Sequence, residues 1–201
     1  MSERPFHHGN LRAVLLDEAV AVLRETGVDG LSLRDLARRA GVSHGAPRSH
    51  FVDRQALLDA LAVTGFERLT ATVRRALAAS GPDLAARFRA VAHAYVDFAI
   101  DDAALMELMF QAKSGAGVGP AGESAATLFT VLDGAMGPRP DDGVDEPSRT
   151  SFKMLFAATM QGIAALVASR RIARADADGL IDAATEMMLA SDLRARAVTV
   201  D

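Results

Sequence analysis

Two short helical segments that meet at a glycine constrain the fold of this chain more than any other feature of its sequence. The first segment, LSLRDLARRAG, has apolar residues at helical spacing, namely Leu33, Leu36, Ala37 and Ala40. Ser32 and Asp35 have the spacing of a helix-capping box, and Gly41 suits the left-handed backbone that often ends a helix. In the second segment Ser43 can cap a helix, and Pro47 falls in or just after its first turn, where a missing N–H costs little. The pattern predicts two short helices joined by a tight turn.

Helical periodicity extends over the rest of the chain. An amphipathic segment covers residues 10–27, and a leucine-rich one covers residues 54–80 before Gly81-Pro82 breaks it. Further helical patterns cover about residues 83–101, 103–113, 121–136, 149–172 and 177–193. No segment alternates as a strand does, and aromatic residues make up only 5% of the chain. We therefore predict an all-α protein with an N-terminal domain over residues 1–54, a connecting helix over 54–80 and a C-terminal helical bundle over 81–201.

The first three predicted helices have the order and lengths of a helix-turn-helix unit. In such a unit the second helix crosses the third at a steep angle, which requires small or apolar residues such as Ala37 and Val42. The third helix enters a major groove and needs small or polar residues at its start, as at Ser43, Gly45 and Ala46. Free N–H groups at a helix start also attract phosphate. The unit predicts double-stranded DNA as a partner.

The charge distribution agrees only modestly with a polyanionic partner. The chain has a net charge of −4, which argues against general affinity for nucleic acids. Residues 1–54, however, hold eight arginines against seven acidic residues, and four of the five histidines. The basic side chains are therefore relatively concentrated in the predicted helix-turn-helix unit.

The sequence around the turn resembles a known family. GLSLRDLARRAGVSHGAPRSHFVDRQALL is similar to the DNA-binding domain of TetR-family transcriptional regulators, and the resemblance covers about residues 8–62. The order of the glycines, Ser43, Phe51 and the following DRQALL are in register with that family. The resemblance implies an all-helical homodimer that binds a palindromic DNA operator. It also implies a C-terminal domain for dimerisation and ligand binding, and repression that a small molecule relieves.

The resemblance assigns roles to single residues. It places one set against base edges, namely Arg34, His44, Ala46, Pro47 and Arg48. It places a second set against phosphates, namely Ser32, Ser43, Gly45, His50 and Arg54, with His8 and Arg12 near the DNA backbone. Arg34, like Arg38 and Arg39, also fits a solvated helix face, and His50 also fits a packed interior histidine. Arg48 stands where the family usually has an aromatic residue, and its guanidinium fits either a guanine edge or a phosphate.

The C-terminal helices contain apolar side chains suited to a core, and the resemblance implies that some of them line a pocket for a small apolar ligand. The candidates are Phe88, Met106, Met109, Phe110, Phe129, Phe156 and Met160, with His93, Tyr95, Gln111 and Gln161 as polar groups. The stretch VDFAIDDAALMELMF and the N-terminal HHG are similar to one branch of the family. That branch typically carries a tryptophan followed by His-Gly in its penultimate helix, where this chain has Gln161-Gly162 and no tryptophan.

The last two predicted helices are the expected homodimer interface. Small residues that allow close approach are Ala158, Gly162 and Ala165. Apolar area comes from Leu166, Leu180, Ile181, Ala184, Met187 and Met188. With the same helices of a partner they would form a four-helix bundle. The alternative is that these helices only close the core of one chain.

The sequence offers no catalytic grouping, cofactor motif or metal site. The chain has no cysteine, and the adjacent histidines at positions 7 and 8 lack a third ligand. The stretch GVGPAG at 117–122 fits a dinucleotide-binding pattern, but it follows a helical segment rather than a strand and is expected to be a loop. We therefore expect a protein that is not an enzyme and binds no cofactor.

The longest apolar run, Met154 to Ser169, is shorter than the roughly 20 residues that span a bilayer, and the N-terminus has no apolar signal-peptide core. We expect a buried helix there, no membrane partner and a cytoplasmic protein. The interpretation that these patterns favour is a ligand-responsive repressor. The alternative is a helical dimer that binds small molecules or proteins and has weakened or lost DNA binding.

Overall fold

A computed structural model describes residues 11–115, 119–137 and 146–198 of the chain. Within these ranges the backbone is helical and contains no strand, so the all-α prediction is confirmed. The α-helices are α1 (Leu11–Thr26), α2 (Leu33–Arg39), α3 (Arg54–Ala79), α4 (Leu84–Asp101), α5 (Ala103–Gly115), α6 (Pro120–Ala135), α7 (Glu146–Ala168), α8 (Arg174–Leu189) and α9 (Asp192–Ala197). Two 3₁₀ helices cover Val28–Gly30 and Ala46–Ser49. His7, His8, Gly117 and Val118 lie outside the described residues. The second half of the GVGPAG stretch, expected to be a loop, is instead the first turn of α6, which begins at Pro120.

Aspartates cap the two helices on either side of the Gly81-Pro82 break. The N–H of Ala56 donates to Asp53 at 2.8 Å, and that of Ala86 donates to Asp83 at 2.7 Å. Each carboxylate thereby satisfies a backbone donor that the first turn of its helix leaves without a partner. Gly81 has a φ of +74°, which ends α3 close to the predicted position.

The segment predicted as one helix over residues 177–193 is two helices. The main chain leaves α8 at Ala190, and the hydroxyl of Ser191 accepts a hydrogen bond from the N–H of Arg194 at 3.3 Å. A serine in this position starts a new helix because its side chain replaces a missing backbone acceptor. Helix α9 is therefore a separate element that periodicity alone did not reveal.

The described residues divide into two compact units. The first contains the chain up to Phe66 together with residues 104–122, and the second contains residues 67–103 and those from 123 onward. Helix α3 begins in the first unit and ends in the second. The domain boundaries expected from the sequence, at residues 54 and 81, stay a prediction.

The core of the first unit is made mainly of leucines, and it also contains Phe51 and Phe66. The fully buried side chains include Leu15, Leu23, Leu36, Phe51, Leu57 and Leu61. Helix α5 packs closely on α3 at Gly65, where an added Cβ atom would lie 2.5 Å from Sδ of Met109. Both Met106 and Met109 are only 2% exposed. These two methionines are core residues of the first unit.

The second unit has an aromatic core and a buried ion cluster. The ring of Phe88 packs edge-on against Phe152 and Phe156, with centroids 5.6 and 5.3 Å apart. The side chain of Arg149 is fully buried and binds Asp133 at 2.9 Å. Partial burial by itself raises the pKa of Asp133, but hydrogen bonds from Arg149 and Lys153 outweigh it and lower the pKa to about 2.

The apolar run expected to be a buried helix is buried on one face only. It forms the greater part of α7, in which Phe156 and Met160 are buried while Met154 and Leu155 are 52% and 53% exposed. Among the described residues α7 alone is long and apolar enough to cross a membrane. Of its most apolar stretch of 18 residues, 28% is buried. Core helices of other proteins pass the same test of length and composition, so this finding is weak evidence for a membrane span.

Candidate nucleic-acid interface

The turn after α2 is a Schellman motif, a common way to end a helix at a glycine. Ala40 is the C-cap residue after α2, and Gly41 follows with a φ of +66°, a backbone conformation that favours glycine. The N–H of Val42 donates to the carbonyl of Ala37 at 3.0 Å, and that of Gly41 donates to Arg38 at 3.2 Å. The turn predicted at Gly41 is thus confirmed.

We call residues 43–50 the recognition segment. Its centre, Ala46–Ser49, is a 3₁₀ helix that packs against α2. The predicted third helix is therefore a short 3₁₀ helix and not an α-helix. The N–H of Arg48 reaches back three residues to the carbonyl of Gly45 at 3.1 Å. The hydroxyl of Ser49 donates to the carbonyl of Ala46 at 2.7 Å, and Pro47 has no N–H to give. The Ser49 hydroxyl thus occupies a carbonyl that a continuing α-helix would use.

The three arginines of α2 differ in their partners. Arg38 and Arg39 bind the carboxylate of Asp35 at 2.6 and 3.0 Å, and Arg39 also binds Glu25 of α1 at 2.6 Å. Hydrogen bonds from these arginines lower the pKa of Asp35 and that of Glu25. Arg34 is exposed, and its side chain makes no hydrogen bond or ion pair with any described residue. It is therefore the α2 arginine best placed for an outside partner.

The recognition segment presents basic and small residues to solvent. His44, Arg48 and His50 are exposed, and their side chains have no hydrogen bond or ion pair within the described ranges. His50 is thus not the packed interior histidine of the alternative interpretation. Ser43 and Gly45 are also exposed, and no atom lies within 4 Å of a Cβ built at Gly45. The space beside Gly45 is open for another molecule's backbone to approach.

Pro47 and Arg54, both predicted to contact DNA, also have contacts within the protein. Pro47 is the buried residue of the recognition segment, so its side chain is turned into the protein, and its placement at a base edge stays a prediction. The guanidinium of Arg54 donates to the carbonyls of Val28 at 2.7 Å and Leu31 at 3.2 Å, and so holds the backbone that leads into α2. Ser32 is exposed and caps α2 by accepting a hydrogen bond from the N–H of Asp35 at 3.1 Å, as its spacing predicted.

Two neighbours of the recognition segment complete this surface. The guanidinium of Arg12 on α1 lies 5.5 Å from the ring centroid of Phe51, a cation–π contact. Val52 is 80% exposed, although exposure of an apolar side chain to water does not stabilise the folded protein. Sequence reasoning missed Val52 because a single apolar residue in a connecting segment carries no periodic signal.

The predicted ligand-pocket residues do not form one cluster. Phe88 and Phe156 line a cavity of only about 10 Å³, enough for about one water, together with Val91, Leu132, Ala135, Met136, Phe152 and Lys153. Met160 is buried, Phe129 is half-buried and Phe110 is 43% exposed. Because Met106 and Met109 belong to the core of the first unit, the structure does not group them with Phe88.

The predicted polar groups of that pocket have internal partners. His93 is about one-third exposed and lies 3.0 Å from Asp182 and 3.4 Å from Asp178, both on α8. The hydroxyl of Tyr95 donates to Oε1 of Gln161 at 3.0 Å, and burial raises the pKa of Tyr95. Gln111 donates to Glu107 on its own helix at 3.2 Å. These contacts give the polar groups roles within one chain.

Most of the predicted dimer residues are available on the surface of α7 and α8. Ala158, Gly162, Ala165, Leu180 and Met187 are exposed, and Leu166 and Met188 are half-buried. Ile181 and Ala184 are only 1% and 7% exposed, so they belong to the core of their own chain and not to an interface. Met154 and Leu155 add exposed apolar area that the prediction did not include.

Comparison with known proteins agrees with this geometry. A family model described as bacterial regulatory proteins of the tetR family matches residues 15–61, the segment that contains α1, α2 and the recognition segment. A second, described as a tetracyclin repressor-like C-terminal domain, matches residues 88–191, just over half of the chain. The chain belongs to the TetR family. Members of this family are helical transcriptional regulators with a DNA-binding helix-turn-helix, and they are not enzymes.

Similar proteins cover different shares of this TetR-family chain. The class D tetracycline repressor protein of Escherichia coli is 44% identical over 52 residues, which is 26% of this chain and 24% of that protein. The regulator BetI of Yersinia pestis (strain Pestoides F) is 35% identical over 106 residues, 51% of this chain and 54% of BetI. The chain thus spans between a quarter and about half of the length of these curated relatives.

Solved structures match the whole fold. A protein with unknown function from Rhodococcus sp. RHA1 is 39% identical, with a TM-score of 0.79 over 97% of this chain and 100% of that one. The Q116A variant of TetR from Acinetobacter baumannii AYE, in complex with minocycline, is 20% identical, with a TM-score of 0.62 over 92% and 97% of the two chains. The latter likeness shows the fold alone.

Proposed function

We propose that the chain is a ligand-responsive repressor that binds a palindromic operator as a homodimer in the cytoplasm. The exposed basic side chains on α2 and the recognition segment are the observation that carries this proposal. Arg34, His44, Arg48 and His50 have no internal partner among the described residues, whereas Arg38 and Arg39 do. Arginines without internal partners next to an open glycine suit contacts with phosphates and guanine edges.

The apolar surface of α7 and α8 supports the homodimer. Met154, Leu155, Leu180 and Met187 are each at least 40% exposed, and small residues lie between them. A second copy would bury this area and form a four-helix bundle. Dimerisation would place two recognition segments in successive major grooves, about 34–36 Å apart.

A ligand would act through the C-terminal helices. An effector that favours a dimer with the wrong spacing of recognition segments would lower operator affinity, a coupling typically worth about 1–3 kcal/mol. The aromatic cavity beside Phe88 holds no more than about one water, so an apolar ligand there requires the surrounding side chains to move.

A mobility-shift assay with the DNA that flanks the chain's own gene tests the proposal. We expect specific retention over competitor DNA at low and moderate salt, with an affinity that falls as salt rises. Absence of specific retention at every salt concentration would favour the second candidate, a helical dimer that does not read DNA. The short 3₁₀ helix at Ala46–Ser49 is the observation behind that second candidate.

A further inference from the structure

A polar groove lies between α3 and α6, within the second compact unit. It has a volume of about 220 Å³ and is lined by Glu67, Thr70 and Arg74 of α3 and by Ser124 and Thr127 of α6. Residues three or four positions apart share a helix face, so each set of side chains points to one side of its helix. All five are polar or charged, in contrast to the aromatic cavity of the same unit.

Thr70 is the buried polar residue of this groove. It is only 4% exposed, and its hydroxyl has no hydrogen-bond partner among the described residues. In mid-helix a threonine usually donates to the carbonyl four residues before it, as Thr64 does to Ala60 at 2.9 Å. A buried hydroxyl without a partner costs free energy, because it has lost its bonds to water and gained none. The donor of Thr70 is therefore available to an occupant of the groove.

Opposite charges lie at the two ends of the α3 face. Glu67 and Arg74 are seven residues apart, about 10 Å along the helix axis. Both are exposed, and neither side chain forms an ion pair within the described residues. The hydroxyl of Ser124 also has no partner there. The groove thus offers an anion, a cation and hydroxyl groups between them.

We propose that this groove binds a small zwitterion. Its ammonium group pairs with Glu67, its carboxylate pairs with Arg74, and Thr70 donates to one of the carboxylate oxygens. The groove is smaller than the roughly 300–1,000 Å³ of pockets for drug-sized ligands, so the occupant has the size of an amino acid. Binding is independent of DNA, and only its effect on an operator rests on the function proposed above.

Calorimetric titration of the full chain with a series of ω-amino acids tests the site. The probes are glycine, β-alanine, 4-aminobutyrate and 6-aminohexanoate, and butyrate and butylamine are matched probes with one charge each. Because the charged residues are a fixed distance apart, affinity should depend on the length of the probe. We expect at least one zwitterion to bind saturably, with one molecule per chain. Both singly charged probes should bind at least about tenfold more weakly than that zwitterion.

Two variants and a matched control test which residues act. Thr70→Val removes the hydroxyl but keeps the shape, so it should raise the thermal midpoint of the unliganded protein and weaken probe binding by about tenfold. Arg74→Gln should weaken binding by at least as much. Arg75→Gln is the control, because Arg75 is the adjacent exposed arginine and donates to Thr72 of its own helix at 3.1 Å.

Three results would overturn the proposal. The first is that no zwitterion binds at millimolar concentration. A rise in stability of Thr70→Val would not rescue the proposal in that case, because the hydroxyl would then have water as its partner and not a ligand. The second is equal binding by the Arg74→Gln and Arg75→Gln variants, and the third is equal binding of the singly charged probes. If a zwitterion binds as expected but no operator is retained, the groove is established and the regulatory function fails.

Discussion

Arg48 and Arg54 show how far neighbouring arginines can differ at the scale of single residues. Both belong to the predicted DNA-contact set, Arg48 at a base edge and Arg54 at a phosphate. The side chain of Arg48 is exposed without an internal partner among the described residues. The guanidinium of Arg54 is bound to two backbone carbonyls just before α2. We therefore expect Arg48 to contact DNA and Arg54 to position the protein's own backbone.

Substitution of Arg48 should weaken operator binding. If Arg48 binds a guanine edge in two places, Arg48→Ala costs about 1–3 kcal/mol and relaxes one operator position. If it binds a phosphate, the slope of log affinity against log salt drops by about one. Affinity measured at several salt concentrations on operator variants separates the two. Arg38→Ala is the control, because Arg38 already pairs with Asp35, and an Arg48 variant no weaker than this control would remove Arg48 from the interface.

Substitution of Arg54 should instead lower stability. Arg54→Ala removes two hydrogen bonds from a charged donor, which we expect to cost about 1–3 kcal/mol of unfolding free energy. Urea denaturation measures that loss, and the salt slope of DNA binding should stay unchanged. A variant of normal stability whose salt slope falls by about one would restore the phosphate role to Arg54.

At the scale of elements, the second unit joins helices through the buried cluster around Arg149. Its guanidinium binds Asp133 of α6 and donates to the carbonyl of Ala197 at the end of α9, at 3.4 Å. Lys153 of α7 binds the same carboxylate at 2.7 Å. One side chain of α7 thus connects two other helices, a role that no local sequence pattern reveals.

The Asp133 cluster predicts a loss of stability in acid. The folded pKa of Asp133 is about 2, below its ordinary value, so its contribution is fully present above about pH 5 and is lost as pH falls toward 2. The shift corresponds to on the order of 2 kcal/mol. Asp133→Asn should lack this pH dependence and lose about 3–5 kcal/mol at neutral pH, since it leaves Arg149 buried without a charged partner.

Urea midpoints between pH 7 and pH 2 measure this effect. Asp59→Asn is the matched control, because Asp59 accepts a single hydrogen bond from Gln55 at 2.8 Å on an exposed helix face. We expect the control to change stability by less than about 0.5 kcal/mol. An acid profile of Asp133→Asn that matches the wild type would show that other carboxylates control acid unfolding.

At the scale of the whole molecule, helices α7 and α8 of the second unit expose several large apolar side chains. Met154, Leu155, Leu180 and Met187 are exposed there, and α7 is only partly buried. Large apolar side chains exposed in number on two helices are typical of a protein–protein interface. We propose that a second copy of the chain covers this area.

A charge on this face should separate the dimer. Met187 is 70% exposed, so Met187→Glu alters the surface without disturbing the core. We expect light scattering to show a dimer for the wild type and a monomer for the variant, with much weaker retention of palindromic DNA. Val14→Glu is the control, because Val14 is an exposed apolar residue of α1. If light scattering gives the same mass for Met187→Glu and Val14→Glu, the dimer contact does not include Met187.

The sequence by itself determined the helical class, most helix positions, the turn at Gly41 and the resemblance to the TetR family. These features depend on local chemistry: spacing of apolar residues, capping side chains, and glycine where φ is positive. The mixture of core and surface roles among the C-terminal methionines was not predictable, because Met106 and Met187 have the same side chain and differ only in what packs against them.

Only the tertiary structure decided which charged and polar groups have partners. Arg34 and Arg39 are both on α2, yet Glu25 of α1 engages only Arg39. Ile181 has the side chain expected of an interface residue, yet the fold buries it in the core of its own chain. Such outcomes depend on side chains that are distant in sequence and meet only when helices pack. Partner choice is therefore a property of the fold, whereas helix formation is largely a property of the segment.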